Sequence, residues 1–422
     1  MRQAGIVVVG AGLAGAASAY ALARRGAGVT LIDRAEGAGQ GASFANAGML
    51  TPSMSDPWNA PGVWRDLLRW LGREDAPMLL RLRALPGLSL WGLQFLANSS
   101  RSAFERAIAL NVRLGLFSIE TMDAWRKEAA FDYDGACAGT MKIYRSEAAW
   151  REGVAKAETM AQLGVAFRGL DRDAMLAFEP ALAPIADELA GAVHFPNDQS
   201  GDANKFAVGL SEASAARGVV CRWGETVRRL RLDGGAVTGV VLASGETIPA
   251  DAVVLATGAY APALAAQAGV RLPIRPVKGY SITYPAEGLT LPRLPIVDDV
   301  LHAALTPLGS RVRVAGTAEF TGFDDRLQPR RIDNLRGLLR QVLPAQAEEL
   351  ERRGGAAWTG FRPMHARGAP AIGRTARPGL YVNAGHGHLG WTLAAGSGEA
   401  LARLMLGADD SFDLTPFEPR AA

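Results

Sequence analysis

The residues best suited to chemistry stand at the start of the chain: Gly10-Ala11-Gly12-Leu13-Ala14-Gly15, followed 18 residues later by Asp33. Glycines at this spacing, between a β-branched run and a small-residue stretch, form the turn that accepts a dinucleotide pyrophosphate. Gly10 makes the turn, Gly12 lets the backbone approach the phosphates, and Gly15 lets helix and strand pack closely. The N–H groups that follow, from Leu13 and Ala14 onward, then point at the diphosphate. Asp33 is placed to accept hydrogen bonds from a ribose. Arg34 beside it would suit a 2′-phosphate, but the acid argues against one. Positioning these groups takes a strand over 6–9, a small-residue helix carrying Ala16, Ala17, Ala19, Ala21, Leu22 and Ala23 and closed by Arg24-Arg25-Gly26, and a second strand over 29–32. That is a βαβ unit. Arg2 with the apolar run behind it also has the composition of a secretory signal. The glycine spacing and the uninterrupted passage into a second strand argue against that reading.

The bulk composition narrows the rest. At 422 residues, with 49% hydrophobic and 21% charged residues, the chain is an ordered globular protein long enough for two intertwined domains. No stretch is long and apolar enough to cross a bilayer. The 45 basic residues are scattered and the net charge is only +3, so nucleic acid is not an expected partner. Cys137 and Cys221 are far apart and form no CxxC pair, which fits a reduced cytoplasmic protein. His386-Gly387-His388 has no third ligand at a metal-binding spacing, so no metal site is expected.

After Asp33 runs a glycine- and alanine-rich loop, Gly37 to Pro52, suited to lie against a large cofactor. The glycine turn, the acid and then Ser43-Phe44-Ala45-Asn46-Ala47-Gly48 resemble the FAD-dependent amine oxidoreductases of the D-amino-acid oxidase and glycine oxidase superfamily. The nearest likeness is to the bacterial D-amino acid dehydrogenases. Met49 stands where that group usually has glutamine, a point shared with glycine oxidases. The likeness continues in Glu179-Pro180-Ala181-Leu182, in Ala256-Thr257-Gly258, in Pro276-Val277-Lys278-Gly279-Tyr280, and in Gly387-His388-Leu389-Gly390-Trp391-Thr392. His365-Ala366-Arg367-Gly368 replaces the family's usual Thr-Pro-Asp-Gly, so His365 inherits no role.

The resemblance implies an α/β (α+β) fold with a Rossmann-type FAD domain and a discontinuous substrate domain on a mainly antiparallel sheet. The boundaries it suggests are 1–53, 190–270 and 355–422 for the FAD domain, and 54–189 and 271–354 for the substrate domain. It implies non-covalent FAD held by Gly10, Gly12, Leu13, Ala14, Gly15, Asp33, Arg34, Ser43, Asn46, Ala47, Gly48 and Met49. It adds Val227 through its backbone, Thr257, Gly258, Arg362, and the run from Gly387 to Thr392. It implies oxidative deamination of a D-amino acid, with Arg362 clamping the substrate carboxylate and Tyr280 as a supporting hydrogen-bond donor. A secondary-amine dehydrogenase or oxidase acting on sarcosine, D-proline, D-hydroxyproline or glycine is the rival on the same scaffold. A flavin-binding subunit without catalysis is a third reading. Electrons are expected to leave to a quinone or respiratory carrier.

Residues 57–100 are rich in tryptophan and leucine. Trp64, Leu67, Leu68 and Leu71 recur at helical spacing, with Arg65, Arg69 and Arg73 on another face. Two readings fit: a helix packed on the core, or a basic, aromatic surface making a peripheral contact with the inner face of a membrane or with a partner subunit.

Overall fold

In the computed structural model, which describes residues 5–74, 76, 78–301, 303–407 and 412–419, the opening βαβ unit forms as expected. Strand Gly5–Val9 leads into helix Leu13–Ala23, and strand Gly28–Ile32 pairs with the first in parallel. The outermost ends of the expected FAD domain, 1–4 and 420–422, lie outside the described residues.

These strands sit in a six-stranded sheet. Its order is Ala371–Arg374, Leu380–Ala384, Ala252–Leu255, Gly5–Val9, Gly28–Ile32 and Val220–Arg222, parallel except for the first. Both faces are covered, which is why the strands read as unbroken apolar runs. Ile6 and Val8 pack against helices Leu13–Ala23, Ala203–Ala215 and Gly390–Leu406. Val7 and Val9 face an antiparallel meander, Val227–Asp233, Ala236–Leu242 and Thr247–Pro249.

The second sheet has nine strands and is mainly antiparallel. Next to one edge, Ile274–Pro285 lies between Arg311–Phe320 and the edge strand Ala356–His365. Tyr280, Ile282 and Tyr284 turn to one side, where helices Pro329–Val342 and Pro344–Arg353 bury them.

Three placements differ from the boundaries expected from sequence. Gly191–Phe195 and Ala356–His365, assigned above to the FAD domain, are strands of the nine-stranded sheet. Helix Arg101–Glu128, assigned to the substrate domain, buries Leu114, Met122 and Trp125 against the helices of the six-stranded sheet. Each element satisfies its backbone or its apolar stripe where a partner exists, regardless of its chain neighbours.

The glycine-rich loop is fastened across both sheets. Ser281 Oγ donates to the Ala45 carbonyl (2.6 Å), Arg313 Nη1 to Asn46 (3.0 Å) and Thr306 Oγ1 to Ala47 (2.7 Å). All three donors belong to the nine-stranded sheet, so the loop is held as firmly as a strand.

Between residues 57 and 100 the helical spacing is only partly used. Helix Val63–Arg69 buries Val63 and half-buries Leu67, while Trp64, Leu68 and Leu71 remain exposed. Helix Leu85–Ala97 buries Leu88, Trp91 and Phe95. Among the described residues no helix is long and apolar enough to cross a membrane.

Candidate active site

One cavity of about 1090 Å³ runs between the two sheets, slightly above the roughly 300–1,000 Å³ of ordinary small-molecule sites. Its first half is the glycine turn. Gly10 has φ +98°, and a Cβ there would fall 2.7 Å from the Ala256 carbonyl oxygen. A Cβ on Gly15 would fall 1.7 Å from the Gly10 carbonyl oxygen. Gly15 therefore shapes the turn from below and does not line the cavity. Gly12, Leu13 and Ala14 do line it, where helix Leu13–Ala23 begins. Ser43 stands at that helix start and its hydroxyl accepts from the Leu13 N–H (3.1 Å). Asp33 accepts from the amides of Ala11 (2.6 Å) and Ala35 (2.9 Å). A carboxylate has about four acceptor positions, so capacity remains for ribose hydroxyls. Arg34 lines the rim with its guanidinium resting 4.2 Å from the centre of the Tyr260 ring. Val227 lies at this end with Glu225 and Gln267.

Asn46, Ala47 and Met49 form part of the wall, as do Thr257 and Gly258. The Asn46 side chain accepts from the Gly48 N–H (3.0 Å) and so closes its own turn. Gly48 does not reach the cavity but packs on Leu308 and Thr306. The buried hydroxyl of Thr257 has no partner among the described residues.

The other half is built by Gly385 to Trp391. Gly385 (φ +85°) and Gly387 (φ +61°) turn the chain into helix Gly390–Leu406. Gly387, His388, Gly390 and Trp391 line the cavity. Leu389 instead joins the core, and the Thr392 hydroxyl accepts from the Thr51 N–H (2.9 Å), so neither contributes a side chain to the cavity. His365, beyond the site, accepts from the Arg367 N–H (3.1 Å) and serves its own turn.

Arg362 sits on strand Ala356–His365 opposite Val277 of the neighbouring strand. Opposed residues share a face, and so do residues two apart. The Arg362 side chain therefore lies over Gly279, where a Cβ would fall 2.3 Å from Nη1. On the far side of Gly279 the ladder slips: Lys278 pairs with Glu319 but Tyr280 with Gly316. The bulge carries Thr317, at φ +56°, an uncommon conformation for a β-branched residue. Its carbonyl accepts from Arg362 Nη1 (3.2 Å). Trp58 completes the setting, with the guanidinium carbon 5.6 Å from its ring centre and the His388 ring stacked on it at 5.4 Å.

Tyr280 lines the cavity beside Gly279, but its hydroxyl is engaged away from Arg362. Alternation turns it to the opposite face, where its buried hydroxyl donates to Glu319, a carboxylate also held by Arg81 Nε (2.7 Å). Its expected role as a supporting donor is therefore corrected.

The electrostatics of this end are simple. Burial holds the Arg362 pKa down at about 10, still protonated at neutral pH. Among the described residues no carboxylate lies within ion-pair distance of it. The acidic residues lining the cavity, Asp33 and Glu225, are at the other end. Burial, reinforced by the Arg362 charge, pushes His388 down to about 4; burial alone does the same to His386. Both histidines are neutral, and no described group of three or more His, Cys, Asp or Glu could hold a metal ion. Trp58, Thr317, Gly279 and His386 all shape this end; none was expected as a site residue, although Gly279 and His386 stand within motifs noted in the sequence.

A phosphate-binding turn and a second sheet, joined by one long cavity, define an enzyme that holds a dinucleotide against a ligand site. The chain belongs to the FAD dependent oxidoreductase family, whose model matches residues 5–404. A D-amino acid dehydrogenase of Methylobacterium nodulans is 41% identical over 403 residues, 95% of either chain. One of Xanthobacter autotrophicus is 40% identical over 97% of this chain and 96% of its own. Among solved structures, glycine oxidase from Geobacillus kaustophilus aligns over 100% of both chains with TM-score 0.78 and 24% identity, a likeness of fold.

FAD fits what the cavity offers. Gly10 and Gly12 would admit the pyrophosphate, Asp33 the ribose, and the N-terminus of helix Gly390–Leu406, with Gly387 and His388, the electron-rich edge of the ring system.

Proposed function

We propose that this enzyme oxidises D-amino acids to 2-oxo acids and ammonia, with water hydrolysing the imino acid first formed. Bound FAD supplies the oxidant, taking a hydride from the substrate Cα. The observation that carries the reading is Arg362, a buried cation facing the cavity with no ion-pair partner among the described residues. A guanidinium in that position is matched by a small carboxylate held through two parallel charge-assisted bonds. The same positive charge, with no carboxylate among the described residues paired to it, favours substrate with a neutral amine. No general base is then needed, and neutral His386 and His388 are consistent with that. The D configuration rests on the relatives, two of which, at 41% and 40% identity over almost the whole chain, bear the name D-amino acid dehydrogenase.

The test is Arg362→Met. Charge-assisted bonds contribute about 1.5–3 kcal/mol each. Losing the fork costs about 3–4 kcal/mol, a hundred- to thousandfold in kcat/KM. The variant keeps its flavin, and the loss is far larger for amino acids than for amines lacking a carboxylate. Equal losses on both would return Arg362 to a structural role. A panel including D-alanine, D-proline, sarcosine, glycine and L-alanine, mixed anaerobically while flavin absorbance is followed, separates primary from secondary amines.

For the acceptor we propose a quinone, in keeping with the dehydrogenase names of those relatives. Peroxide formed in step with substrate loss, even with quinone supplied, overturns that assignment.

A further inference from the structure

The bulge that carries Thr317 is tied from behind by a buried cluster of charges. Lys278 and Tyr280 turn to the face of the nine-stranded sheet opposite Arg362, and Glu319, paired with Lys278, shares that face. Both Lys278 and Glu319 are wholly buried there. The Tyr280 hydroxyl and Arg81 Nε (2.7 Å) donate to the Glu319 carboxylate. Lys278 Nζ stands 3.9 Å from it and donates to the Arg326 carbonyl (2.6 Å). Arg331, buried on helix Pro329–Val342, donates to the Ala318 carbonyl (3.1 Å).

Two of these bonds act on the bulge itself. Tyr280 is the first paired residue beyond the slip on its strand, and Glu319 is the last before it on the other. The bond between their side chains runs diagonally across the extra residue and fixes the two ends of the bulge against each other. Arg331 grips the Ala318 carbonyl inside the same interval. The backbone so held is one that a β-branched residue rarely adopts: Thr317 has φ +56°, and its buried hydroxyl has no partner among the described residues. Backbone in such a state persists where its surroundings over-determine it, and it gathers at functional sites.

Stability alone does not account for the cluster. Burial works against the Glu319 charge, and the bonds from Tyr280 and Arg81 outweigh it, keeping the carboxyl below its ordinary pKa. Burial and the same carboxylate push the Tyr280 phenol up, so it stays protonated and remains a donor. Apolar residues of equal volume would serve a core as well as these buried ions do. What the ions hold is the stretch of strand whose carbonyl, at Thr317, accepts from Arg362 Nη1.

We propose that the Tyr280–Glu319 pair is a positioning device for substrate binding. By closing the bulge it aims the Thr317 carbonyl, and through it the Arg362 guanidinium that receives the substrate carboxylate. The pair acts from behind the sheet, through the backbone. The inference rests on Arg362 being the carboxylate clamp proposed above.

The experiment compares the FAD-loaded full chain with Tyr280→Phe, which removes one hydroxyl, and with Arg81→Gln, which removes the Arg81 bond to Glu319. Two quantities are read: kcat and KM for D-alanine, and the dissociation constant of propionate from its perturbation of the flavin spectrum. A loosened clamp loses binding shared by ground and transition states. KM and the propionate constant should each rise about tenfold in Tyr280→Phe, while kcat changes less than about threefold. Arg81→Gln moves both constants in the same direction. In an Arg362→Met background Tyr280→Phe has no further effect on kcat/KM, because the group it acts through is gone. Unaltered KM and propionate affinity in both variants overturn the proposal. So does a loss of equal size with and without Arg362, which would make the pair structural. If Arg362→Met alone leaves D-alanine turnover and propionate binding unaltered, the clamp reading fails and this inference with it. If that variant is impaired and Tyr280→Phe is not, only this inference fails.

Discussion

A guanidinium facing a cavity with no ion-pair partner among the described residues has to be aimed by other means. Arg362 is aimed by the Thr317 carbonyl, the Trp58 ring and the missing side chain of Gly279. Gly279→Ala puts a methyl 2.3 Å from Nη1 between two long antiparallel ladders, so the guanidinium is the part that moves. Displacements near 1 Å cost up to about a hundredfold in rate. We expect kcat/KM for D-amino acids to fall ten- to a hundredfold with flavin retained, read by anaerobic flavin reduction; an unaltered rate would show that Gly279 is not needed for the aim. With His386 and His388 titrating near 4, neither changes charge between pH 5 and 8. The rise of kcat/KM with pH in that range should follow deprotonation of the substrate amine and persist in His388→Gln. Arg362 was legible in sequence because its strand-and-turn cluster is distinctive. Tyr280 was misread because facing depends on register with a strand about 80 residues away. Trp58 left no signal, since its partners, the His388 ring and the Arg362 guanidinium, come from distant stretches of the chain.

At the scale of elements, the glycine turn was legible because its requirements are local. Gly15→Ala tests it. The added carbon meets a backbone carbonyl at 1.7 Å, so we expect loss of bound FAD and of soluble yield, checked by the absorbance ratio of purified protein. The nine-stranded sheet was legible only in parts, because its edge strand Ala356–His365 follows helices in the chain and pairs far upstream. A second element-level feature is Asp198, buried between Ser53 Oγ (2.5 Å) and Thr140 Oγ1 (2.6 Å). Desolvation pushes its pKa up to about 7, above the unfolded value. The unfolded chain therefore binds fewer protons between about pH 4 and 7, and stability contributed by this group is lost as pH rises through that window. Asp198→Asn should flatten that part of the stability curve, measured by denaturant unfolding at several pH values. An unchanged slope would assign the pH dependence elsewhere.

For the whole molecule, the two sheets are joined by a loop whose carbonyls at 45, 46 and 47 are held by Ser281, Arg313 and Thr306. Cofactor wall and ligand sheet therefore move as one body at this seam. Neither Cys137 nor Cys221 lines the cavity. Acid precipitation should release all flavin into the supernatant, and colour left in the pellet would show a covalent link. One property of Arg362 reaches beyond the chemical step. The carboxylate it grips is the same before and after oxidation, so the fork binds substrate and 2-oxo acid alike and by itself accelerates nothing. Small carboxylates that cannot be oxidised should compete with substrate. By mass action they should also raise the melting temperature, by an amount that grows with the logarithm of their concentration and disappears in Arg362→Met.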